Sequence, residues 1–231
     1  MFKKRRMKYN IKINIVAKIK NFINFILSNL FKLIPSKSIL FQTYTSYSIE
    51  EKLSCELPYT NINFIKFLID FTKNKNDLNI FEYGSGSSTL FFEKHFTQVY
   101  SVENNESWYK EIKRYSKKAN IYFVPGKHSL NPIIKSSKFG YKKLDFNNYV
   151  NFINETGTKF DVVFIDGRAR ESCLKIVINY LKPNGLIVLD NSGRKRYKTE
   201  LELYKKKYKC IDFKGFSTFI PLPSKTTVIF T

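Results

Sequence analysis

The sequence predicts one α/β domain with a mostly parallel sheet, preceded by a basic helical segment. From residue 61 onward, short β-type runs alternate with helical runs, which requires parallel strands joined by right-handed crossovers. One of these strands ends in the turn Gly84-Ser85-Gly86, directly before a helix. A chain of 231 residues with 43% hydrophobic residues fits one such domain and a short appendage.

The N-terminal part of the chain predicts a basic amphipathic helix. Residues 1–40 contain ten Lys or Arg and no Asp or Glu, and apolar residues recur there at helical spacing. Lysines interrupt this apolar run too often for a membrane-spanning helix. Two alternatives remain for residues 1–34: a helix lying on an anionic membrane surface, or a helix packed on protein. We place an irregular connector at 41–60, after Pro35, and the main domain at 61–231.

The first half of the main domain is interpreted from apolar spacing and from the glycine turn. The first helical run is marked by its apolar residues Ile62, Ile65, Phe67, Leu68 and Ile69, and Leu78–Tyr83 is a short apolar run that ends in the glycine turn. Residues 125–145 lack either pattern and are expected to form a loop. The predicted elements, in chain order, are the helix Asn61–Phe71, the strand Leu78–Tyr83, the helix Ser88–His95, the strand Gln98–Glu103, the helix Ser107–Lys117 and the strand Ile121–Val124.

The second half continues the alternation and ends differently. The run FDVVFI is strongly β-type, and Lys182-Pro183-Asn184-Gly185 is a stop signal for the helix before it. The last two strands have no helix between them, so we predict a hairpin that adds one antiparallel strand. The predicted elements are the helix Phe146–Asn154, the strand Phe160–Ile165, the helix Arg170–Leu181, the strand Leu186–Leu189, the helix Lys195–Lys207 and the strands Lys209–Phe213 and Thr226–Phe230.

The glycine turn and an acidic residue on the next strand together indicate a nucleoside site. Gly84 and Gly86 let a ligand approach the main chain, and the following helix presents free N–H groups. Glu103 closes the second strand, where a carboxylate can accept both hydroxyls of a ribose. Glu82, just before the turn, would repel a pyrophosphate and suits a cationic amino-acid group instead. A tight turn without a ligand is the alternative.

These residues carry a family resemblance. Glu82-x-Gly84-x-Gly86 resembles motif I of the class I methyltransferases that use S-adenosylmethionine, and Val102-Glu103 resembles their second motif. The resemblance covers roughly residues 60–231, with Ser88 in place of the third glycine of motif I. It implies a Rossmann-like fold, in which helices cover both faces of a seven-stranded sheet of order 3-2-1-4-5-7-6. It also implies S-adenosylmethionine as the cofactor.

The resemblance assigns residues to this cofactor. Glu82, Gly84 and Gly86 are expected against its methionine part, and Glu103 at its ribose. Asn104 would border the adenine, together with the end of the third strand. The cofactor-binding residues predicted in this way are Glu82, Gly84, Ser85, Gly86, Ser88, Glu103 and Asn104. Trp108, on the following helix, is expected to pack that helix rather than to meet a ligand.

Polar residues follow the fourth and fifth strands of the predicted sheet, at the edge where ligands of such sheets bind. Asp166 and Asp190 are the candidate general bases, and His128 is a rival in the loop after the third strand. Capping of a loop or helix is the alternative role of Asp166, and an Asx turn that of Asp190. The substrate-binding candidates are Arg168, Arg170, Asn191 and Arg194. No cluster of metal ligands is evident.

The sequence thus predicts methyl transfer, to a hydroxyl of a small molecule or saccharide. Asp166-Gly167-Arg168 stands where an Asn-Pro-Pro-Tyr motif would indicate methylation of amino groups on bases. The net charge of +21 leaves an RNA methyltransferase as an alternative. Lysine supplies 33 of the 40 basic residues, however, so nucleic acid is the less favoured partner.

Two further alternatives belong to other functional classes. One is a non-catalytic membrane-surface or scaffold protein that keeps the fold. The other is a nicotinamide-dependent oxidoreductase, which is disfavoured because Thr89 stands where its fingerprint has a third Gly or Ala and because Glu82 would repel the pyrophosphate. The three cysteines are far apart and form no disulfide framework, which indicates a reducing compartment. We therefore expect a cytoplasmic protein, peripheral on the inner face of the membrane if residues 1–34 bind lipid.

Overall fold

A computed structural model describes residues 49–138 and 140–231. The predicted basic helix at residues 1–40 and the first part of the connector lie outside these residues. The α-helices are α1 Ile49–Ser54, α2 Ile62–Thr72, α3 Ser87–His95, α4 Glu106–Tyr115, α5 Asn147–Asn151, α6 Arg170–Ile176 and α7 Lys198–Lys207. Helix α1 falls within the connector that was expected to be irregular.

The strands form one large sheet and one small ribbon. The sheet strands are β1 Asn79–Tyr83, β2 Gln98–Glu103, β3 Asn120–Phe123, β6 Phe160–Ile165, β7 Leu181–Leu189, β8 Lys209–Ser217 and β9 Ile220–Phe230. The ribbon pairs β4 Lys127–His128 with β5 Leu144–Asp145, inside the segment that was expected to be a loop.

The strand order of the sheet is β3-β2-β1-β6-β7-β9-β8. It differs from the predicted order only because β4 and β5 are counted. Numbered without them, the seven strands follow 3-2-1-4-5-7-6. Strand β9 runs antiparallel to both β7 and β8, and the other pairs in the sheet are parallel. The predicted terminal hairpin is therefore confirmed.

Apolar side chains fill both faces of the sheet. Successive side chains of β1 point to opposite faces of the sheet: Phe81 and Tyr83 belong to one buried cluster, and Ile80 belongs to the other. Helices α5, α6 and α7 cover the first face, and α2 and α3 cover the second. The strands are buried on both sides, so they read as continuous apolar runs rather than as alternating ones.

The segment between β6 and β7 differs from its prediction. We expected a helix from Arg170 to Leu181 and a strand from Leu186. The α-helix ends at Ile176, a 3₁₀ turn covers Val177–Tyr180, and the strand begins at Leu181. The helix ends at the β-branched run Ile176-Val177-Ile178, whose side chains lose rotamer freedom in an α-helix. Helix α2, by contrast, begins one residue after its predicted start, with Asn61 as its N-cap.

Candidate active site

Backbone hydrogen bonds continue past the ends of the strands and bring the predicted site residues to one edge of the sheet. The Gly84 N–H donates to the end of β2 at 2.8 Å, and that of Asp166 donates to the end of β1 at 3.0 Å. The Asp190 N–H donates to the end of β6 at 3.2 Å. Because the parallel strands are in register, Glu103 at the end of β2 lies beside Gly84, Asp166 and Asp190, which directly follow β1, β6 and β7.

The two glycines of the turn differ in backbone conformation and in the space around them. Gly84 has φ of 95°, a conformation that favours glycine. Gly86, the N-cap of α3, is extended at φ of −176°, which any residue adopts. A Cβ on Gly86 would have Ser88 Oγ at 3.6 Å as its nearest atom, outside its own chain neighbours. The protein itself therefore does not require glycine at position 86, and the space beside it is open to a ligand.

The predicted cofactor residue Glu82 lies beneath the turn. Its side chain is fully buried and accepts hydrogen bonds from Ser88 Oγ, Thr89 Oγ1 at 2.5 Å and Ser101 Oγ at 2.7 Å. Burial raises the pKa of Glu82 to about 7, against the lowering effect of these hydroxyl groups. The carboxylate thus fastens the first turn of α3 to strands β1 and β2, and the Ser88 hydroxyl is engaged in the same network.

Glu103 occupies the position expected of a ribose-binding carboxylate. Its Oε1 accepts the backbone N–H groups of Asn104 and Asn105, both at 2.7 Å. Its Oε2 accepts no hydrogen bond from the part of the chain that the structure describes. Burial raises the pKa of Glu103, while the two amides lower it. Glu103 and Asn104 line a cavity of about 290 Å³ together with Gly84 and Ser85.

A second cavity, of about 320 Å³, lies on the other side of the turn. Gly84, Ser85, Trp108 and Asp166 line both cavities. Trp108 Nε1 donates to the Ser85 carbonyl at 2.7 Å, which fixes the turn. Trp108 also packs against the cluster that contains Ile112 of its own helix, as predicted, so the hydrogen bond to Ser85 adds a second role. The Ser85 hydroxyl is buried and has no hydrogen-bond partner among the described residues. An unpaired buried hydroxyl at such a position is a donor for a ligand.

Asp166, one of the two candidate bases, faces both cavities. Its carboxylate forms a salt bridge with Arg170, and Asp190 is its neighbour on the next strand. The pKa of Asp166 is raised, because burial disfavours its charge; Arg170 opposes this shift and the Asp190 carboxyl adds to it. A raised pKa on a carboxylate beside two cavities is the environment expected of a general base.

Asp190, the other candidate base, is 1% exposed and lines neither cavity. Its Oδ1 accepts from Thr60 Oγ1 and from Thr226 Oγ1 at 2.8 Å, and its Oδ2 accepts from Asn191 Nδ2. The carboxylate is thus surrounded by donors of the protein. This environment favours a structural role over that of a base, but a different one from the expected Asx turn: Asp190 joins the connector to the end of the sheet through Thr60 and Thr226.

The predicted substrate residue Arg170 is used by the protein itself. It is 8% exposed, and its guanidinium donates to the carbonyls of Asp190 at 2.7 Å, Asp166 at 2.5 Å and Gly167 at 3.1 Å. These bonds connect the ends of β6 and β7 and hold the Asp166 carboxylate in place. Arg170 is therefore better described as a positioning residue than as a free substrate ligand.

Of the other predicted site residues, Arg168 lines the cavity of Glu103, whereas Asn191, Arg194 and His128 line neither that cavity nor the one of about 320 Å³. Asn191 donates to Asp190 and accepts from Arg194 Nη2, so its side chain joins the two. Arg168 and Arg194 line a third cavity, of about 540 Å³. His128 is exposed on the ribbon and lines none of these three cavities. The geometry consequently favours Asp166 over His128 as the base.

An aromatic wall, formed by Tyr59 and Phe219, lines the second cavity and was not predicted from the sequence. Tyr59 and Phe219 stack with their ring centroids 5.9 Å apart and 8° between the planes, and both line this cavity. Burial raises the pKa of Tyr59 to about 12, and the Asp166 and Asp190 carboxylates add to the shift. The connector reaches this position because Thr218 N donates to the Thr60 carbonyl at 3.0 Å. Such long-range docking leaves no periodic signal in a sequence.

Comparison with solved structures identifies proteins of similar fold. No protein-family model and no curated protein sequence matches the chain. An O-methyltransferase from Bacillus cereus, solved in complex with SAH, superposes with a TM-score of 0.54 at 15% identity, covering 92% of this chain and 99% of that chain. The chain shares the fold of this O-methyltransferase. An rRNA methylase from Streptococcus thermophilus has a TM-score of 0.49 at 10% identity, covering 72% of this chain and 95% of that one.

The structural likeness confirms the predicted Rossmann-like methyltransferase fold. Between residues 49 and 231, Phe139 apart, no helix is long and apolar enough to cross a membrane. In the same part of the chain, no three His, Cys, Asp or Glu side chains are grouped as ligands for a metal ion.

Proposed function

We propose that the chain is an S-adenosylmethionine-dependent methyltransferase that methylates a hydroxyl of a small molecule or saccharide. The observation that supports this most directly is that Glu103 and the turn Gly84-Ser85-Gly86 line two cavities that share four residues. Cavities of this kind, with a few convergent polar groups, are the usual form of a cofactor site.

The residues around these cavities fit the proposed cofactor. Glu103 Oε2 is available to ribose hydroxyls, and Asn104 stands beside it to border the base. The unpaired Ser85 hydroxyl and the open space at Gly86 suit the amino-acid part. Glu82 and Ser88 act from below, by holding the first turn of α3. When bound, S-adenosylmethionine supplies a methyl group on a sulfonium sulfur.

We assign the removal of the acceptor proton to Asp166. Its carboxylate lines both cavities, and its raised pKa brings its proton affinity closer to that needed near neutral pH. Arg170 fixes the orientation of Asp166 through the salt bridge and through carbonyls on both sides. Asp190 stabilises the arrangement without contacting the acceptor.

The aromatic wall orients the acceptor and excludes water in this proposal. Tyr59 is protonated at neutral pH, as its raised pKa ensures with a wide margin, so its hydroxyl can donate to an acceptor oxygen. Holding the acceptor oxygen in line with the methyl group lowers the activation barrier of such a transfer, in favourable cases by roughly 7–11 kcal/mol.

The acceptor class is tested with methyl-labelled S-adenosylmethionine and a panel of free and phosphorylated saccharides, with total RNA in parallel. We expect label in a base-stable methyl ether, because ethers resist alkali and methyl esters do not. The Asp166→Asn protein is the control for background transfer. Label found only in RNA would contradict the proposal and would support the alternative that the net charge suggests.

We further propose that residues 1–34 hold this enzyme on an anionic membrane surface in the cytoplasm. The support is the run of ten cationic residues without an acidic one in residues 1–40. Each such residue near a charged surface contributes about 1 kcal/mol. Sedimentation with vesicles that contain phosphatidylglycerol should be lost in a variant with Lys3, Lys4, Arg5 and Arg6 changed to Gln. Equal sedimentation with neutral vesicles would contradict this role.

A further inference from the structure

The cavity of about 540 Å³ beside the site is strongly cationic. Its walls come from the segment between β4 and β5, the β6–α6 turn and the segment after β7. We call it the basic groove and define it by its cationic side chains Lys135, Lys138, Lys142, Arg168, Arg194 and Arg196. It adjoins the cavity of Glu103, because Lys138, Gly167 and Arg168 line both.

The six cations of the basic groove outnumber the acidic groups near them, although the Glu103 carboxylate is close enough to Arg168 and Lys138 for both to lower its pKa. None of its six cationic side chains forms an ion pair within the part of the chain that the structure describes. Glu171 is the acidic residue in its lining, and Arg170, also in the lining, is matched by Asp166. Like charges gathered in one concave surface repel each other and attract an anion.

Three arginines of the groove are held in position, and one of them, Arg168, has a donor without a partner in the described residues. Arg196 Nη1 donates to Ser137 Oγ, and Arg194 Nη2 donates to Asn191 Oδ1. Arg168 lies over the Tyr141 ring at 5.2 Å, and its Nε is buried without a partner in the described residues. A buried guanidinium N–H without an acceptor is costly, and a ligand oxygen would satisfy it.

We infer that the basic groove binds a phosphate or diphosphate group of the methyl acceptor. This inference rests on the proposed function, because the groove opens beside the cavity of Glu103. A guanidinium fork matches the geometry of phosphate oxygens, and six cations suit a group with several negative charges better than one carboxylate. The volume is that of a small-molecule site, so the acceptor is a phosphorylated small molecule or saccharide.

The phosphate group can come from a soluble sugar phosphate or from a lipid-linked saccharide. The rim of the groove contains Leu130, which is 94% exposed, and Ile133 nearby is 78% exposed. Both sources share the phosphate chemistry of the groove, and they differ in the use of these apolar side chains.

The test is calorimetric titration of the full chain, saturated with S-adenosylhomocysteine, with inorganic pyrophosphate. We expect Lys135→Gln/Lys142→Gln to weaken binding about tenfold or more, since two charges that face the anion are removed. The matched control is Lys206→Gln/Lys207→Gln on α7, which removes the same charge from an exposed surface elsewhere. The affinity of this control protein for pyrophosphate should stay within about twofold of that of the wild type. Arg196→Gln is a second groove variant and should weaken binding as well.

The inference is overturned if the wild type does not bind pyrophosphate, or if the control weakens binding as much as the groove variants. Binding of S-adenosylhomocysteine is measured in the same proteins, so a failure of the groove and a failure of the cofactor proposal are distinguished. Vesicles of phosphatidylcholine with a polyprenyl diphosphate separate the two sources, in a background with Lys3, Lys4, Arg5 and Arg6 changed to Gln so that residues 1–34 do not cause the binding. Loss of vesicle binding in Leu130→Ser/Ile133→Ser assigns the phosphate to a lipid, and competition by glucose 1-phosphate without that loss assigns it to a soluble acceptor.

Discussion

Gly84 and Gly167 lie against each other, backbone to backbone, where β1 and β6 end. A Cβ on Gly84 would stand 2.7 Å from Gly167 Cα, and a Cβ on Gly167 would stand 2.9 Å from the Gly84 nitrogen. Both distances are too short for non-bonded atoms, and the Gly84 and Gly167 main-chain atoms cannot turn aside; a Cβ on Gly167 would in addition collide with the buried Tyr149 hydroxyl. The two turns that carry Ser85 and Asp166 therefore approach each other only because both positions are glycine.

We predict that Gly84→Ala lowers the free energy of unfolding by at least about 2 kcal/mol, since it adds strain at φ of 95° to a backbone clash. Urea unfolding followed by circular dichroism measures the change. Gly193→Ala is the matched control, because its nearest neighbour in space would be Lys225 Cβ at 3.6 Å. If both variants were equally stable, the close packing of the two turns would be refuted.

The role proposed for Asp166 predicts a separation of catalysis from cofactor binding. Asp166→Asn should lower kcat by about 10²–10⁴-fold, the usual contribution of a general base. Its affinity for S-adenosylhomocysteine should change only a few-fold. Steady-state kinetics with the accepted saccharide and calorimetry of the same preparations provide the two values. Full activity of this variant would show that Asp166 is not the general base.

The pH dependence of wild-type activity follows from the same group. A base must be deprotonated to act, and the pKa of Asp166 is raised by burial, against the effect of Arg170. We therefore expect kcat to increase with pH through an apparent pKa above the usual carboxyl range, which belongs to the Asp166–Asp190 pair as a whole. A pH–rate profile that is flat from pH 5 to neutral would argue against this base.

Glu82 predicts a pH dependence of stability. Its pKa is raised from 4.5 to about 7 on folding, so the folded protein holds this proton more tightly than the unfolded chain does. The resulting stabilisation is complete below pH 4.5 and is lost as the pH rises through 7. One pKa unit corresponds to about 1.4 kcal/mol, so the stability of wild type relative to Glu82→Gln should fall by about 2 kcal/mol between pH 5 and pH 8. Urea unfolding of both proteins at the two pH values measures this difference, and a constant difference would contradict the assigned environment.

The role proposed for Tyr59 predicts an effect on use of the methyl acceptor and no effect on cofactor binding. Tyr59→Phe keeps the ring stacked on Phe219 and removes the hydroxyl, so kcat/KM for the acceptor should fall about 3–10-fold, the value of one hydrogen bond. Binding of S-adenosylhomocysteine should not change. A variant with unaltered kcat/KM would show that Tyr59 only shields the cavity from water.

The order of the strands and the location of the cofactor turn could be predicted from the sequence because both depend on local patterns. Buried parallel strands are continuous apolar runs, and a Gly-x-Gly turn followed by an acid on the next strand has a fixed place in such a sheet. Gly84, Ser85 and Glu103 line the expected cavities for this reason.

The roles of individual side chains could not be predicted in the same way, because they depend on contacts between distant segments. Asp190 is enclosed by Thr60 and Thr226, which lie 130 and 36 residues away in the chain. Tyr59 reaches the cavity only through the docking of the connector on the β8–β9 hairpin. Spacing along the sequence says nothing about such contacts, so Asp166 and Asp190 had equal standing until their surroundings were known.

The cofactor site itself is tested most directly by calorimetric titration of the wild type, Gly86→Val and Glu103→Ala with S-adenosylhomocysteine. Glu93→Gln is the control, because Glu93 is also a buried carboxylate that accepts backbone N–H groups, but of residues 117–119, outside the cavities. We expect the wild type and Glu93→Gln to bind, and the two site variants to bind at least about tenfold more weakly while remaining folded. Binding by Gly86→Val and Glu103→Ala as tight as that of the wild type, or no binding by the wild type, would contradict the account.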